Sequence, residues 1–461
     1  MKTKKRLFGT DGVRGVANQE LTCEMAFGLG ASAVEQLGNT LVIGRDTRIS
    51  GNMLEAALVA GITSRGGKAL LAGVIPTPAV ALLTREMKAA GGIVISASHN
   101  PPEYNGIKFF DAAGYKISPE LEDQLEAGMR RVNGREPLEE EAGREPETLP
   151  VGTGVGAVVV IEDALERYIS HATDILTDEN ISLKELKIAV DCGNGASYYV
   201  APEAFRRLGA EVVVINNGGD GAIINVNSGS SDLGQLIELV KSSKADVGIA
   251  HDGDADRVIA VSATGAEIDG DFIEAICALD RKATRGLPGN TVVSTVMCNL
   301  GFTKAMEDAG LQVLQTAVGD SNVLAAMLEG GYVIGGEQSG HTIFLDHNST
   351  GDGLITALML LAALKRSGIS LDELAARTMK KYPQTLINVH VADKHKLDQS
   401  PTIASAVQEA ETTLQASGGG RVLLRASGTE PLVRVMVEAA EKEIADRIAL
   451  SLVSVVEAEL A

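Results

Sequence analysis

One pattern limits this chain more than any other: an apolar strand, a short turn, a helix closed by glycine, then another apolar strand. It occurs three times. The first copy reads "TLVIGRDTR", "MLEAALVAGITSRGG", "KALLAG"; the second "KIAVDCGNG", "YYVAPEAFRRLG", "AEVVVIN"; the third "TVVSTVMCNLG", "FTKAMEDAG", "LQVLQT". The strands read as buried on both faces, as parallel strands covered by helices are. Three such units point to a divergent internal repeat of α/β domains, although a single large doubly wound sheet would give a similar pattern. At about 150 residues per domain, 461 residues suit roughly three domains. The charged, Pro- and Gly-rich stretch Asn133–Gly154 reads as an exposed linker, and "RKATRGLPGN" (Arg281–Asn290) as a loop inside the third unit. After "KRSGIS" the texture changes. "LINVHV", a helix from near Thr402, "RVLLRAS", "LVRVMVEA" and a terminal helix give β-α-β-β-α, a smaller α+β domain. The expected divisions are 1–152, 153–257, 258–369 and 370–461.

The net charge is −20, tryptophan is absent and aromatics are 3%, which argues against a nucleic-acid binder that works by charge or base stacking. Any site for an anionic ligand must be locally basic against that global field. "MKTKKRLFGTDG" is basic but has no apolar stretch after it, so no signal peptide is expected. The longest apolar run, Leu354–Leu364, is too short to span a bilayer and reads as a core helix. Four scattered cysteines form no CxxC pair or disulfide framework. A cytoplasmic protein with no membrane partner is expected.

Five segments carry chemistry. In "DGDADR" (Asp252–Arg257), Asp252, Asp254 and Asp256 follow a buried strand at every second position. Holding such carboxylates about 5 Å apart costs roughly 3 kcal/mol per pair at an effective dielectric of 20, so a structure that converges them needs a cation. Oxygen-only ligands favour Mg²⁺ or a similar hard ion; a solvated acidic turn is the alternative. In "ISASHNPPEYNGIKFF", Ser98 and His99 stand where a buried strand empties, with Lys108 ten residues after Ser98. There is no GxSxG elbow and no evident Ser–His–Asp order. Beside the acidic turn, a phosphoryl-accepting serine that shares the ion fits better than a hydrolase nucleophile. "RASGTEPLVR" (Arg425–Arg434) gathers guanidinium forks, hydroxyls and backbone N–H groups suited to a phosphate, or is a polar hairpin turn. "GGEQSGH" (Gly335–His341) mixes donors and acceptors suited to sugar hydroxyls, with a bland loop equally compatible. "FGTDGVRG" places Arg14 in a glycine-flanked loop. "GRDTRISG" (Gly44–Gly51), a basic turn at a helix N-terminus, reads as a structural turn, with a phosphate contact as the alternative.

"GTDGVRG", "ISASHNP", "NGIKFF", "DGDADR", "GEQSGH" and "SGTEPLVRV" occur together in the order and spacing of the α-D-phosphohexomutase family, and the chain resembles its glucosamine branch over essentially its whole length. The resemblance implies three related α/β domains with mixed, mostly parallel sheets and a C-terminal α+β domain like the TATA-box-binding protein, around a central cleft. It implies that Ser98 is phosphorylated and that Asp252, Asp254 and Asp256 bind one Mg²⁺ with its phosphate. Arg14 and Arg257 would lie beside the reacting phosphate, Lys108 would be an acid/base or a phosphate contact, and His99 would be a further catalytic residue. Glu337, Ser339 and His341 would meet the sugar, and Arg425, Ser427, Gly428, Thr429 and Arg434 the non-reacting phosphate. The implied activity is an isomerase interconverting glucosamine 6- and 1-phosphate through a 1,6-bisphosphate, toward UDP-N-acetylglucosamine and cell-wall precursors. The implied partner is a phosphorylated amino sugar; a homodimer is left open. Alternatives are a glucose- or mannose-directed mutase, a silent phosphosugar-binding protein and a Mg²⁺-dependent phosphatase. Four positions depart from the family pattern: His251 and Ala255, where a bulky apolar residue and a glycine are expected, and Ser321 and Asn322, where this branch usually has arginine and tyrosine. "TVMCNLG" matches the glucosamine branch, whereas relatives directed to mannose or glucose usually carry a lysine near Met297.

Overall fold

Each α/β repeat closes its sheet with an antiparallel hairpin, and that hairpin sets where the chemistry sits. The computed structural model describes residues 6–9, 11–134, 148–427 and 431–460. They fall into two compact units, residues 1–296 with 314–377, and residues 297–313 with 378–461.

In the first unit, the first sheet orders its strands Phe8–Gly9, Gly12–Val16, Tyr104–Asp111, Gly91–Ile95, Thr40–Arg45, Lys68–Val74 and Val158–Val160. Thr40–Arg45 runs parallel to both neighbours, and Gly91–Ile95 then pairs antiparallel with Tyr104–Asp111. The second sheet repeats the scheme. Val247–His251 lies parallel to Lys187–Asp191 and antiparallel to Val258–Ser262. In the third, Ile334–Gly336 is parallel to Thr291–Thr295 and antiparallel to Thr342–Phe344. The hairpin loops hold Ser98, the aspartates and "GEQSGH" respectively. Three segments that look unrelated in sequence are therefore the same topological position used three times.

Several expectations need correction. The second sheet continues through Val258–Ser262 to Glu267–Ile268, so a division after Arg257 would cut a hairpin at its turn. Val158–Val160 lies beyond the division expected at residue 152, yet it pairs with Lys68–Val74 in the first sheet. The helix Gly270–Thr284 absorbs the start of the loop expected from Arg281. Glu211–Ile215 and Gln312–Thr316 are not buried on both faces, because each is the last strand of its sheet. Gly353–Ser367 is the core helix expected, buried from Gly353 to Leu364. No single helix among the described residues is long and apolar enough to cross a membrane.

The second unit holds the expected β-α-β-β-α run: Gln384–His390, Pro401–Ala416, Gly420–Ala426, Leu432–Ala439 and Lys442–Leu460, with the three strands antiparallel. Its core is Val433, Val435 and Val437 of the middle strand against Ile448, Leu452 and Val456 of the last helix. The helix Leu300–Asp308, written in the third repeat, groups with this unit. Buried Glu438 explains the attachment: it accepts from Asn299 Nδ2 at 3.0 Å and from Arg421 Nε at 2.5 Å.

Candidate active site

The Ser98 loop is held from beneath by a guanidinium. Arg48 is fully buried, donates to Asp46 Oδ2 at 2.9 Å, and reaches the carbonyls of Ser98 (2.9 Å), Asn100 (2.7 Å) and Tyr104 (3.0 Å). Asp46 also accepts from Ser96 Oγ at 2.6 Å, and Ser96 Oγ accepts from the Ser98 amide at 2.9 Å. Asn225 adds a bond to the Ser98 carbonyl at 2.8 Å. This scaffold keeps Ser98 at φ +52°, a left-handed conformation that side-chain-bearing residues adopt at a cost and that clusters at functional sites.

Ser98 Oγ donates to Asp252 Oδ2 at 2.6 Å, and His99 Nδ1 lies 3.3 Å from Ser98 Oγ. Asp252, Asp254 and Asp256 are all buried and each offers a carboxylate oxygen within 4.8 Å of the others. Gly253 lets this turn approach: a Cβ there would stand 2.6 Å from the Ser98 carbonyl. Burial, Asp256 and Asp254 push Asp252 well above the usual carboxylate range. Asp254 goes the other way. Burial opposes its charge, but Lys108 Nζ at 2.8 Å and Thr77 Oγ1 at 2.7 Å outweigh that and lower its pKa. Asp254 Oδ1 and Asp256 Oδ1 are buried and make no hydrogen bond among the described residues. Buried carboxylate oxygens that lack hydrogen bonds are costly, and three carboxylates that converge in this way fit a hard metal ion.

Lys108 is locked among Asp254 and Asp11, both at 2.8 Å, and Asp256 at 3.6 Å. Its burial disfavours the charge, yet the three carboxylates raise its pKa far above the ordinary lysine value. Such a lysine is a fixed positive charge. Arg257 behaves alike: burial is overcome by Asp256, Asp252 and Glu337. His99 is exposed at the loop edge, and partial desolvation with Arg257 and Arg14 lowers it to about 4, so it is neutral near pH 7. Arg14 lies not in a loop, as expected, but in the strand Gly12–Val16, paired opposite Gly106; it bonds Asn100 Oδ1 at 3.1 Å and pairs with Asp11, leaving its Nε, like that of Arg257, without a hydrogen bond among the described residues. Three cations, Lys108, Arg14 and Arg257, thus stand among the carboxylates of this site in an acidic chain.

Glu337 accepts from the Gly319 amide at 3.1 Å, and its charge acts on Arg257. His341 is buried, with Nε2 3.6 Å from Asp320. Ser339 is exposed on the same turn. Ser321 and Asn322 are exposed at the start of the helix Asp320–Gly330, where Asn322 Nδ2 donates to the Val318 carbonyl at 3.1 Å. His251 is buried, with Nδ1 3.2 Å from the Arg257 carbonyl, and Ala255 takes φ +56°, the conformation that makes glycine the expected residue there.

In the second unit, Arg425 and Arg434 are directly opposite on neighbouring antiparallel strands. Like charges so placed repel; burial and Arg434 together lower the Arg425 pKa, and the Nε of each is buried without a hydrogen bond among the described residues. An anion would relieve both. Ser427 is buried next to them, its carbonyl bonded by Lys394. Gly428 and Thr429 lie outside the described residues.

Family models for phosphoglucomutase/phosphomannomutase match in chain order: α/β/α domain I at residues 5–135, domain II at 166–265, domain III at 269–382 and the C-terminal domain at 386–455. The chain belongs to the phosphoglucomutase/phosphomannomutase family. Among members of this family, proteins named phosphoglucosamine mutase are 51% identical in Pelotomaculum thermopropionicum (96% of this chain, 98% of the relative) and 48% in Clostridium novyi (98% of each). Of solved phosphohexomutase structures, a family protein from Burkholderia thailandensis superposes with TM-score 0.78 at 25% identity, covering 98% of this chain and 97% of that one. An Aspergillus fumigatus N-acetylphosphoglucosamine mutase in complex with GlcNAc-6P and magnesium gives 0.70 at 17% identity, covering 99% and 96%. The four-domain phosphohexomutase fold and isomerase class follow.

Sequence reasoning missed Arg48, Asp46, Thr77, Asn225, Asp11, Lys116 and Asp320. Arg48 and Asp46 lay in "GRDTRISG", read as a structural turn. That reading holds, but the structure being supported is the Ser98 loop.

Proposed function

We propose that this chain is a phosphoglucosamine mutase that interconverts glucosamine 6-phosphate and glucosamine 1-phosphate through phospho-Ser98 and a bound 1,6-bisphosphate. The observation that carries the reading is the 2.6 Å bond from Ser98 Oγ into a buried group of three aspartates. The full-length relatives named phosphoglucosamine mutase support the sugar.

In the forward half, the bond from Ser98 Oγ to phosphorus breaks as the sugar O1 bonds to phosphorus. Neutral His99 is placed to take the O1 proton. Lys108, Arg14 and Arg257 hold positive charge where the equatorial phosphoryl oxygens gather negative charge. Asp252, Asp254 and Asp256 would hold Mg²⁺, which when bound supplies charge neutralisation for the phosphoryl group. Glu337, Ser339 and His341 present polar groups to the sugar, and Arg425, Arg434 and Ser427, with Gly428 and Thr429, grip the phosphate that is not reacting. In the forward half the departing Ser98 Oγ takes up a proton. After the bisphosphate reorients, the bond between O6 and phosphorus breaks as Ser98 Oγ bonds to phosphorus. The Ser98 hydroxyl proton passes toward Asp252, to which it is directed, and O6 takes up a proton as it leaves. A grip without metal and a reacting centre with one explain why two unlike phosphate sites are needed.

The test is kcat/KM of the Ser98-phosphorylated enzyme for glucosamine, glucose and mannose 6-phosphates. A clear preference for mannose or glucose would overturn the sugar assignment. Release of free phosphate without isomer would overturn the mutase reading.

A further inference from the structure

A chain of opposite charges leaves the acidic turn and ends at Asp320, beside His341 of "GEQSGH". From Asp254 it passes to Lys108 at 2.8 Å, to Asp11 at 2.8 Å, to Lys116 at 2.6 Å, then to Asp320. Lys116 is the link between repeats. Its own backbone is pinned to the catalytic hairpin, for Lys116 forms a bridge with Phe110, and Ile117 N donates to the Phe109 carbonyl at 3.3 Å. Asp320 is the first residue of the helix Asp320–Gly330, where the dipole favours a carboxylate. Gly319, next to it, holds Glu337 Oε1 at 3.1 Å. Few bonds therefore separate Lys116 from the metal-type carboxylates on one side and from Glu337 on the other.

We infer that Lys116 is a positioning residue: by bonding Asp11 and Asp320 together it fixes the sugar-binding turn at a set distance from the reacting serine. The words "sugar-binding" rest on the mutase reading; the mechanical link does not. Stability alone is a poor account of the arrangement, since buried ion pairs are often replaceable by apolar contacts without loss. What the pair supplies is register. Asp11 and Asp320 come from different repeats, with 308 intervening positions, and share one partly buried ammonium whose charge both carboxylates sustain.

The experiment uses full-length Lys116→Met, Asp320→Asn and the double variant. Asp320→Asn breaks the same link while leaving Lys116 paired with Asp11, so the measurement stands even if Lys116→Met is unstable. The first readout needs no sugar: hydrogen–deuterium exchange of Ala317–Val323. Loss of a charged hydrogen bond should speed exchange there by about tenfold or more, with the double variant no faster than either single one. The second readout is steady-state kinetics with glucosamine 6-phosphate. KM should rise by about tenfold, while glucose 1,6-bisphosphate still phosphorylates Ser98. Unchanged exchange in folded Asp320→Asn, or additive effects in the double variant, overturns the inference. Absence of mutase turnover in the unaltered chain would instead refute the functional reading, and the exchange result would still decide the link.

Discussion

Replacing Arg48 with methionine should disable Ser98, the proposed phosphoryl carrier, without changing that residue. The substitution keeps much of the buried volume but removes the guanidinium that bonds Asp46 and the carbonyls of Ser98, Asn100 and Tyr104. Asp46 is left buried with only Ser96 and the residue 48 amide as donors. Removing one partner of a buried ion pair costs about 3–5 kcal/mol. Summing each bond separately would count the same desolvation several times, so the pair value is the better guide. Burial already raises the Asp46 pKa, which lets the orphaned acid take up a proton and places the loss near the lower end, about 3 kcal/mol. The double variant Arg48→Met with Asp46→Asn should recover part of that stability. It should not recover activity, because the Ser98 carbonyl keeps only Asn225 of its two anchors, too little to hold φ +52°. Denaturant unfolding gives the stability arm, and the rate of Ser98 phosphorylation by glucose 1,6-bisphosphate, read by intact mass on folded protein, gives the functional arm. A variant destabilised by less than about 1 kcal/mol that phosphorylates Ser98 at the unaltered rate would refute the idea that Arg48 carries this loop.

Ser98→Ala should abolish both phosphate incorporation and turnover, and full turnover by this variant would remove the serine from the mechanism. Asp254→Asn should lower turnover severely with the fold retained, since it deletes a charged ligand; activity that survives exhaustive chelation with no metal retained would exclude the metal site. Arg425→Ala should weaken substrate capture by about ten- to a hundredfold and increase leakage of bisphosphate per turnover, and an unchanged KM and leakage with lost Ser98 phosphorylation would place that arginine at the reacting centre instead.

Repeats, strands and the identity of the chemical segments could be read from the sequence because they depend on local order. Burial of "GIVI" and "DVGIA" follows from apolar runs, and three aspartates at alternate positions after such a run announce a cation without any tertiary knowledge. Glycine-rich turns with Ser98 or Glu337 at strand ends carry a similar local signature. What folding alone decided is which distant charges meet. Arg48 looked like a turn residue because nothing nearby in sequence shows that the carbonyls of Ser98 and Asn100 will converge on it. Asp11, Lys116 and Asp320 are ordinary charged residues until two repeats pack and their attraction, weak in water, strengthens as solvent is excluded. Even the apparent edges of the domains shifted, since Val258–Ser262 belongs to the sheet before it through hydrogen bonds that pair it back across the metal turn. Sequence specifies residues and their local geometry; Coulomb energy in a desolvated interior depends on separation in space, and only the packed chain sets that separation.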